Sequence, residues 1–138
     1  IRVRSSWVVS PLFSARRQTS FFECHDMPYL DVDGVGLFYE LCGPPGSTLR
    51  ASGLDTHPRI LILSPSNTSV ADLKPYFKAI SAKFVLLLFD HRGTGASSMP
   101  TEAWPAEPAM TVYAQDAAHL LDAVGWTSCH VLGLSFGG

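Results

Sequence analysis

The sequence predicts an α/β fold with a mostly parallel sheet, and two observations carry this prediction. Short apolar runs alternate along the chain with a segment of helical periodicity, in the order strand, helix, strand, helix, strand. That order is typical of parallel strands joined by right-handed crossovers. The composition agrees, since the 138 residues are 46% hydrophobic and 16% charged, which suits one folded domain with a core rather than a disordered chain.

An antiparallel hairpin is expected before the parallel strands. Residues Tyr29–Val32 alternate in polarity, Asp33 and Gly34 form a strong hairpin-turn signal, and residues 35–42 read as the returning strand. A connection rich in Gly, Pro and Ser then covers residues 43–58. The continuous apolar run Arg59–Leu63 follows, and such a run predicts a strand buried on both faces of a sheet.

The remaining elements are predicted from periodicity and from their end signals. In order they are a helix over residues 70–82, a strand over 84–89, a proline-bearing loop over 93–110, a helix over 111–124 and a buried strand over 129–132. Leu73 and Phe77 recur at helical spacing, and Pro75 lies near the helix start, where a missing N–H costs least. Thr111 is the predicted N-cap of the second helix, and Gly125 is predicted to end it.

Charge, hydropathy and cysteine usage exclude several classes of protein. The formal net charge of −2 argues against a protein that grips nucleic-acid phosphates. The longest apolar run covers only residues 84–89, whereas a bilayer span needs about 20 residues. The three cysteines are odd in number and show no Cys-x-x-Cys or metal-ligand spacing, so neither a disulfide framework nor a metal site is expected. Cys129, in an apolar run, is predicted to be a small core residue.

The beginning of the sequence differs in composition from the rest. Residues 1–22 contain four arginines and no acid, and their Arg- and Ser-rich composition is typical of an organelle transit peptide. The alternative is that Met27 is the natural start and the preceding residues are not native. We therefore expect an N-terminal extension over residues 1–27 and a domain over residues 28–138. A cytoplasmic location is expected, or a mitochondrial one if the transit peptide is genuine.

A Gly-x-Ser-x-Gly pentapeptide at residues 133–137 carries the main chemical signal. It directly follows a predicted strand, where a sharp strand-to-helix turn pushes the Ser135 hydroxyl out above the sheet edge. Gly133 and Gly137 permit the turn because a Cβ at either position would crowd the neighbouring strand or helix. The backbone N–H of Phe136 is expected to point to the place where an oxyanion would form.

A second motif, Asp-His-Arg-Gly-Thr-Gly-Ala-Ser, covers residues 90–97 directly after another predicted strand. With both motifs in this order, the chain resembles the α/β-hydrolase superfamily, of the AB hydrolase-1 type, from about residue 29 to residue 138. The resemblance implies that Asp90 and Arg92 fix the loop by satisfying backbone groups, and that His91 is a structural residue rather than a general base. His57, His119 and His130 are not expected to be catalytic either.

The resemblance implies a serine hydrolase that cleaves a small acyl compound (ester, thioester, lactone or amide) through an acyl-enzyme. Ser135 is then the nucleophile and Phe136 supplies one oxyanion N–H. The second donor is expected at Ser66, which follows the strand where the family commonly carries His-Gly-x-Gly; Pro65 replaces a Gly there and restricts the loop. The alternative for residues 64–67 is a plain polar turn. No cofactor is implied.

The family's triad acid and His follow the serine, whereas this sequence ends three residues after Ser135. We therefore expect a chain truncated after the nucleophile elbow that is inactive alone, because a serine without a base is a poor nucleophile. The alternative is a non-catalytic binding module or pseudoenzyme half-domain. An acyltransferase is a variant of the enzyme hypothesis, since an alcohol or thiol can replace water. Leu134 and Phe136 suggest an apolar acyl pocket, unless they are simply core residues.

Overall fold

The computed structural model describes residues 23–24, 28–49, 57–99 and 110–138. The described strands are β1 (Glu23–Cys24), β2 (Tyr29–Val32), β3 (Val35–Gly43), β4 (Arg59–Leu63), β5 (Val85–Phe89) and β6 (His130–Gly133). The described helices are α1 (Val70–Leu73), α2 (Lys78–Ser81) and α3 (Met110–Val124), with 3-10 turns at Lys74–Phe77 and Ser135–Gly137. The sheet order is β1-β3-β5-β4-β6, and β2 pairs with β3.

The pairing directions confirm the predicted sheet. β4 pairs in parallel with β5 on one side and with β6 on the other. β3 runs antiparallel to both β2 and β5, so the predicted hairpin precedes and borders the parallel part. The crossover from β4 to β5 and the crossover from β5 to β6 run in opposite directions along the sheet. Crossovers of the same hand must then lie on opposite faces, as they do here.

Two hydrophobic cores lie on the two faces of the sheet. Val70, Leu73 and Phe77 pack on one face, and Leu120 of α3 packs on the other. The central strand β5 contributes alternately to both cores, and each of its residues is at most 1% exposed. A strand buried on both faces has no polar position, which explains its uninterrupted apolar sequence.

The predicted helix over residues 70–82 is broken into three short pieces. It begins at α1, where Ser69 and Asp72 form a capping box, and then tightens into the 3-10 turn Lys74–Phe77 before α2. Pro75 lies in that turn. Because Pro has no backbone N–H, it cannot make the α-helical bond of its position, and the helix tightens there.

The prediction that the third parallel strand is buried was wrong. Val131 is 59% exposed and Leu132 is 37% exposed. β6 pairs with β4 along one edge only, and among the described residues no strand covers its other edge. Cys129, next to this edge, is only partly buried and packs against the α3 core.

Two element boundaries also differ from those expected. α3 begins at Met110, so Thr111 lies in its first turn and is not the N-cap. β1 pairs with β3 through Glu23 and Cys24, which lie inside the predicted extension. Residues 1–22, including the candidate transit peptide, and most of the proline-bearing loop lie outside the described residues.

Asp90 joins three parts of the fold directly after β5. Its buried carboxylate accepts the backbone N–H of Val70 at 2.6 Å, at the start of α1, and that of Ala96 at 2.7 Å. Its backbone carbonyl accepts the Ser97 hydroxyl at 2.6 Å. Gly95 is required beside it, because a Cβ there would lie 2.2 Å from Oδ2 and φ is +55°. The predicted role of Asp90 in fixing the loop is confirmed.

Replacing Asp90 by Asn should destabilise the protein. Both carboxylate oxygens of Asp90 accept a backbone N–H, whereas the amide of Asn has only one oxygen that can accept. We expect the free energy of unfolding to fall by about 2 to 3 kcal/mol, measured by urea denaturation. Asp122→Asn, at an exposed position of α3, is the control and should change the value by less than about 0.5 kcal/mol. Equal effects of the two substitutions would contradict the assigned role of Asp90.

Candidate active site

The pentapeptide forms the sharp turn that its sequence predicts. Leu134 continues the extended strand with φ −123° and ψ 120°, and Ser135 then adopts φ +52°. The Gly137 N–H donates to the Leu134 carbonyl at 3.0 Å, and the Gly138 N–H to the Ser135 carbonyl at 2.9 Å. A left-handed conformation costs a residue with a Cβ about 1 to 3 kcal/mol. This strained turn leaves Ser135 exposed at the carboxyl end of β6.

The two glycines of the motif are required by space. A Cβ on Gly137 would lie 2.3 Å from the carbonyl oxygen of Leu63, the last residue of β4. A Cβ on Gly133 would lie 2.2 Å from the carbonyl oxygen of Gly137 within the turn itself. Both neighbours are backbone atoms that cannot rotate away, so the turn closes only with glycine at these positions.

The residues on either side of Ser135 hold the turn from both faces of the sheet. Leu134 packs against the core that contains α1, and its N–H donates to the Leu63 carbonyl at 3.0 Å. The Phe136 ring lies on the other face, with its centroid 5.1 Å from that of Tyr113 in α3. Leu134 is therefore a packing residue, whereas Phe136 both packs against Tyr113 and lines a pocket.

The loop after β4 lies beside this turn. Ser64 is buried, whereas Ser66 and Asn67 are exposed, and Asn67 adopts φ +56°. Ser66 and Phe136 line the same pocket, of about 240 Å³. The two residues expected from the sequence to supply backbone donors therefore line one concavity.

His91 lies in the wall of this pocket and is only 5% exposed. Its Nε2 is 3.3 Å from the carbonyl oxygen of Ser64, which can only accept, so Nε2 carries the proton. Its ring makes edge-to-face contacts with three aromatic rings, at centroid distances of 5.0 Å to Phe89, 5.5 Å to Tyr113 and 5.6 Å to Phe136. Nδ1 is buried and has no hydrogen-bond partner among the described residues.

The environment of His91 favours the neutral form of the imidazole. Burial lowers its pKa below 6.5, and this effect outweighs the Ser64 carbonyl and the charges of Asp116 and Asp90, which act in the opposite direction. A neutral ring whose protonated nitrogen is bound to a carbonyl and whose other nitrogen is buried is poorly suited to take a proton from Ser135. The geometry therefore favours the structural interpretation of His91.

Arg92 fixes the loop to α3. Its guanidinium donates through Nε to Asp116 at 2.7 Å and through Nη2 to the second oxygen of the same carboxylate. The Asp116 carboxylate is fully buried, and its hydrogen bonds raise the pKa of Arg92. The sequence analysis missed Asp116. A signal was available, because Asp116 lies three residues after Tyr113 and four before Leu120 and so places a carboxylate on the apolar face of the predicted helix.

The other described histidines lie elsewhere. His57, His119 and His130 are exposed, and His57 and His130 line a separate pocket at the amino ends of β4 and β6. Within the described residues, no group of His, Cys, Asp and Glu could hold a metal ion. In the same part of the chain, no helix has the length and apolar character needed to cross a bilayer.

Comparisons with curated proteins find similarity to hydrolases. No family model matches the chain. It is 34% identical over 108 residues to a protein from Caulobacter segnis that is provisionally named carbamate hydrolase RutD, and the match covers 78% of this chain and 36% of that protein. A protein of the same name from Azorhizobium caulinodans is 29% identical over 112 residues, which are 81% of this chain and 36% of that protein. The chain thus spans about a third of the length of these relatives.

Solved structures show the same fold. A hydrolase from Pseudomonas aeruginosa superposes with a TM-score of 0.65 and 28% sequence identity, over 81% of this chain and 37% of that one. The enol-lactonase from Burkholderia xenovorans superposes with a TM-score of 0.64 and 25% identity, over 80% of this chain and 38% of that one.

Substituting Gly137 by Ala should destabilise the protein, because the added Cβ meets the Leu63 backbone. We expect a loss of about 2 kcal/mol in the free energy of unfolding, measured by urea denaturation. Gly36→Ala is the matched control, since the nearest atom to its Cβ, Ser98 Oγ, is at an ordinary 3.7 Å. A tolerated Gly137→Ala would show that the turn has more space than the structure gives it.

The lowered pKa of His91 predicts a pH dependence of stability. Near pH 6.5, His91 is protonated to a larger extent in the unfolded chain than in the folded chain, where its pKa is lower. The free energy of unfolding should therefore decrease as the pH falls below about 6.5. The contribution cannot exceed about 1.4 kcal/mol per pH unit, and His91→Gln should remove it while the exposed His119→Gln does not. Urea denaturation between pH 5 and pH 8, roughly where histidine titrates, measures both slopes; identical slopes for His91→Gln and the unmodified protein would contradict the assignment.

Proposed function

We propose that this chain, a member of the α/β-hydrolase superfamily, carries the nucleophile of a serine hydrolase that cleaves acyl compounds. The observation that supports this most directly is Ser135 at φ +52°, exposed on a turn whose two glycines admit no side chain. Strain of this kind persists only where the surrounding structure enforces it, and it is concentrated at functional sites. A serine in such a position suits nucleophilic attack on a carbonyl carbon.

In the proposed reaction, Ser135 Oγ attacks the substrate carbonyl and its proton passes to a base. The carbonyl oxygen becomes an oxyanion, to which the backbone N–H groups of Phe136 and Ser66 donate. Collapse of this intermediate expels the leaving group and leaves an acyl-enzyme, which water hydrolyses. The pocket shared by Ser66 and Phe136 supports this assignment of the donors.

The base and its supporting acid are proposed to lie outside these 138 residues. No His or acid follows Ser135 in the sequence, and the described histidines are either exposed elsewhere or held as His91 is. The relatives extend well beyond the matched region, since the match covers only 36% of their length. We therefore expect activity from the full-length protein and none from residues 1–138 alone.

The proposed substrates are small molecules with an ester, thioester, lactone, amide or carbamate carbonyl. Lactones and carbamates are included among the proposed substrates because one similar structure is an enol-lactonase and the curated relatives carry the name carbamate hydrolase. The charge and hydropathy of the chain support neither a nucleic-acid partner nor a membrane span, and no cofactor is proposed. A cytoplasmic location is proposed, with a mitochondrial one if residues 1–22 are a transit peptide.

Ser135→Ala in the full-length protein tests the proposal. We expect labelling by a fluorophosphonate probe to disappear and the kcat for p-nitrophenyl butyrate to fall at least about a thousandfold, because the attacking oxygen is removed. Ser128→Ala, exposed before the amino end of β6, is the control and should leave both unchanged. Labelling that survives Ser135→Ala would reject this nucleophile, and an unlabelled, inactive full-length protein would favour the non-catalytic alternative.

A further inference from the structure

His91 touches both segments that supply the proposed oxyanion donors. Its Nε2–H is bonded to the carbonyl of Ser64, two residues before Ser66. Its ring packs edge-to-face on the ring of Phe136. One rigid aromatic side chain therefore lies between the loop after β4 and the turn after β6.

The chemistry of the imidazole suggests that this position needs more than an apolar filler. Nδ1 is buried without a partner among the described residues, and a buried unsatisfied acceptor is costly. A Phe or Leu would fill apolar space without that cost. The imidazole gains over them only the Nε2–H that binds the Ser64 carbonyl, so that hydrogen bond is the reason we assign to its presence.

We propose that His91 is a positioning residue that sets the spacing between the backbone N–H groups of Ser66 and Phe136. This inference rests on the proposed function, because the spacing matters only if both groups bind an oxyanion. Donors stabilise the transition state when they are held within about 0.5 Å of their productive position. In this assignment His91 acts on the oxyanion donors through Ser64 and Phe136, and it exchanges no proton with Ser135.

Substitutions can separate the two contacts of His91. His91→Gln keeps an N–H donor for the Ser64 carbonyl but loses the ring, whereas His91→Phe keeps the ring but loses the donor. His91→Leu loses both. We expect kcat to fall about tenfold for Gln and for Phe and about a hundredfold for Leu, with KM nearly unchanged because the oxyanion exists only beyond the ground state.

The measurement is the kinetics of p-nitrophenyl butyrate hydrolysis by the full-length variants, together with inhibition by an aliphatic trifluoromethyl ketone. That ketone forms an oxyanion on the serine, so its inhibition constant should rise in proportion to the loss of kcat/KM across the series. A residue that only stabilises the fold would not produce this proportionality. His119→Gln is the matched control at an exposed position of α3. Val124→Ala removes buried apolar contacts at the end of α3 that is far from Tyr113, so it controls for a loss of stability alone. Both substitutions should leave kcat and the inhibition constant unchanged.

The outcomes separate the two proposals. If the unmodified protein shows no Ser135-dependent hydrolysis, the proposed function fails and this inference fails with it. If hydrolysis depends on Ser135 but the His91 variants retain kcat and ketone affinity, the proposed function stands and the inference is overturned. Should the His91 variants not fold, Phe136→Leu tests the same link from its other end, and an unchanged kcat in that variant would also overturn it.

Discussion

The backbone of Leu63 is the point on which the geometry of the candidate site depends. Its carbonyl accepts the Leu134 N–H, and the chain at Gly137 approaches it so closely that no Cβ fits between them. Leu63 is also the residue from which the chain continues into the loop of Ser66. The backbone of Leu63 therefore contacts the turn that carries Ser135 and also leads into the loop that carries Ser66. It lies at the carboxyl end of β4, a strand that is paired on both sides. In open α/β sheets, ligands bind at such strand ends, where the connections leave on opposite faces.

The loop after β5 completes this frame through three consecutive residues that bind three different elements. Asp90 accepts the Val70 N–H at the start of α1, His91 donates to the carbonyl directly after β4, and Arg92 pairs with Asp116 of α3. Each interaction places a polar or charged group in a buried position, where it is stable only if its partner is present. The apolar cores on the two faces hold the layers together, and the polar contacts of this one loop add fixed links between β5, the chain after β4 and both helical layers.

The sequence predicted the structural features that are determined by residues close together in the chain. The order of strands and helices along the chain, the glycines at 133 and 137 and the role of Asp90 follow from backbone geometry and motif spacing, and the structure agrees with them. The exposure of Val131 and the contact between Arg92 and Asp116 depend on which elements become neighbours, which periodicity along one chain does not contain. The break in the helix around Pro75 could be predicted only in part from the sequence. Its position was visible in the sequence, but proline near a helix start can be either tolerated or disruptive, and packing decides between the two.

The described residues separate two tasks that a serine hydrolase must perform. Holding an oxyanion requires fixed backbone donors, and the turn that carries the proposed donor Phe136 is held by the Leu134–Leu63 hydrogen bond, the ring contact with His91 and the packing of Leu134. Accepting the serine proton requires a basic group beside Ser135, and in the part of the chain that the structure describes no histidine is bonded to it. Donors held by rigid elements need no rearrangement when the charge forms. In the proposed site, the stabilisation of the oxyanion would therefore depend on the contacts of Leu63 and His91, whichever residue supplies the base.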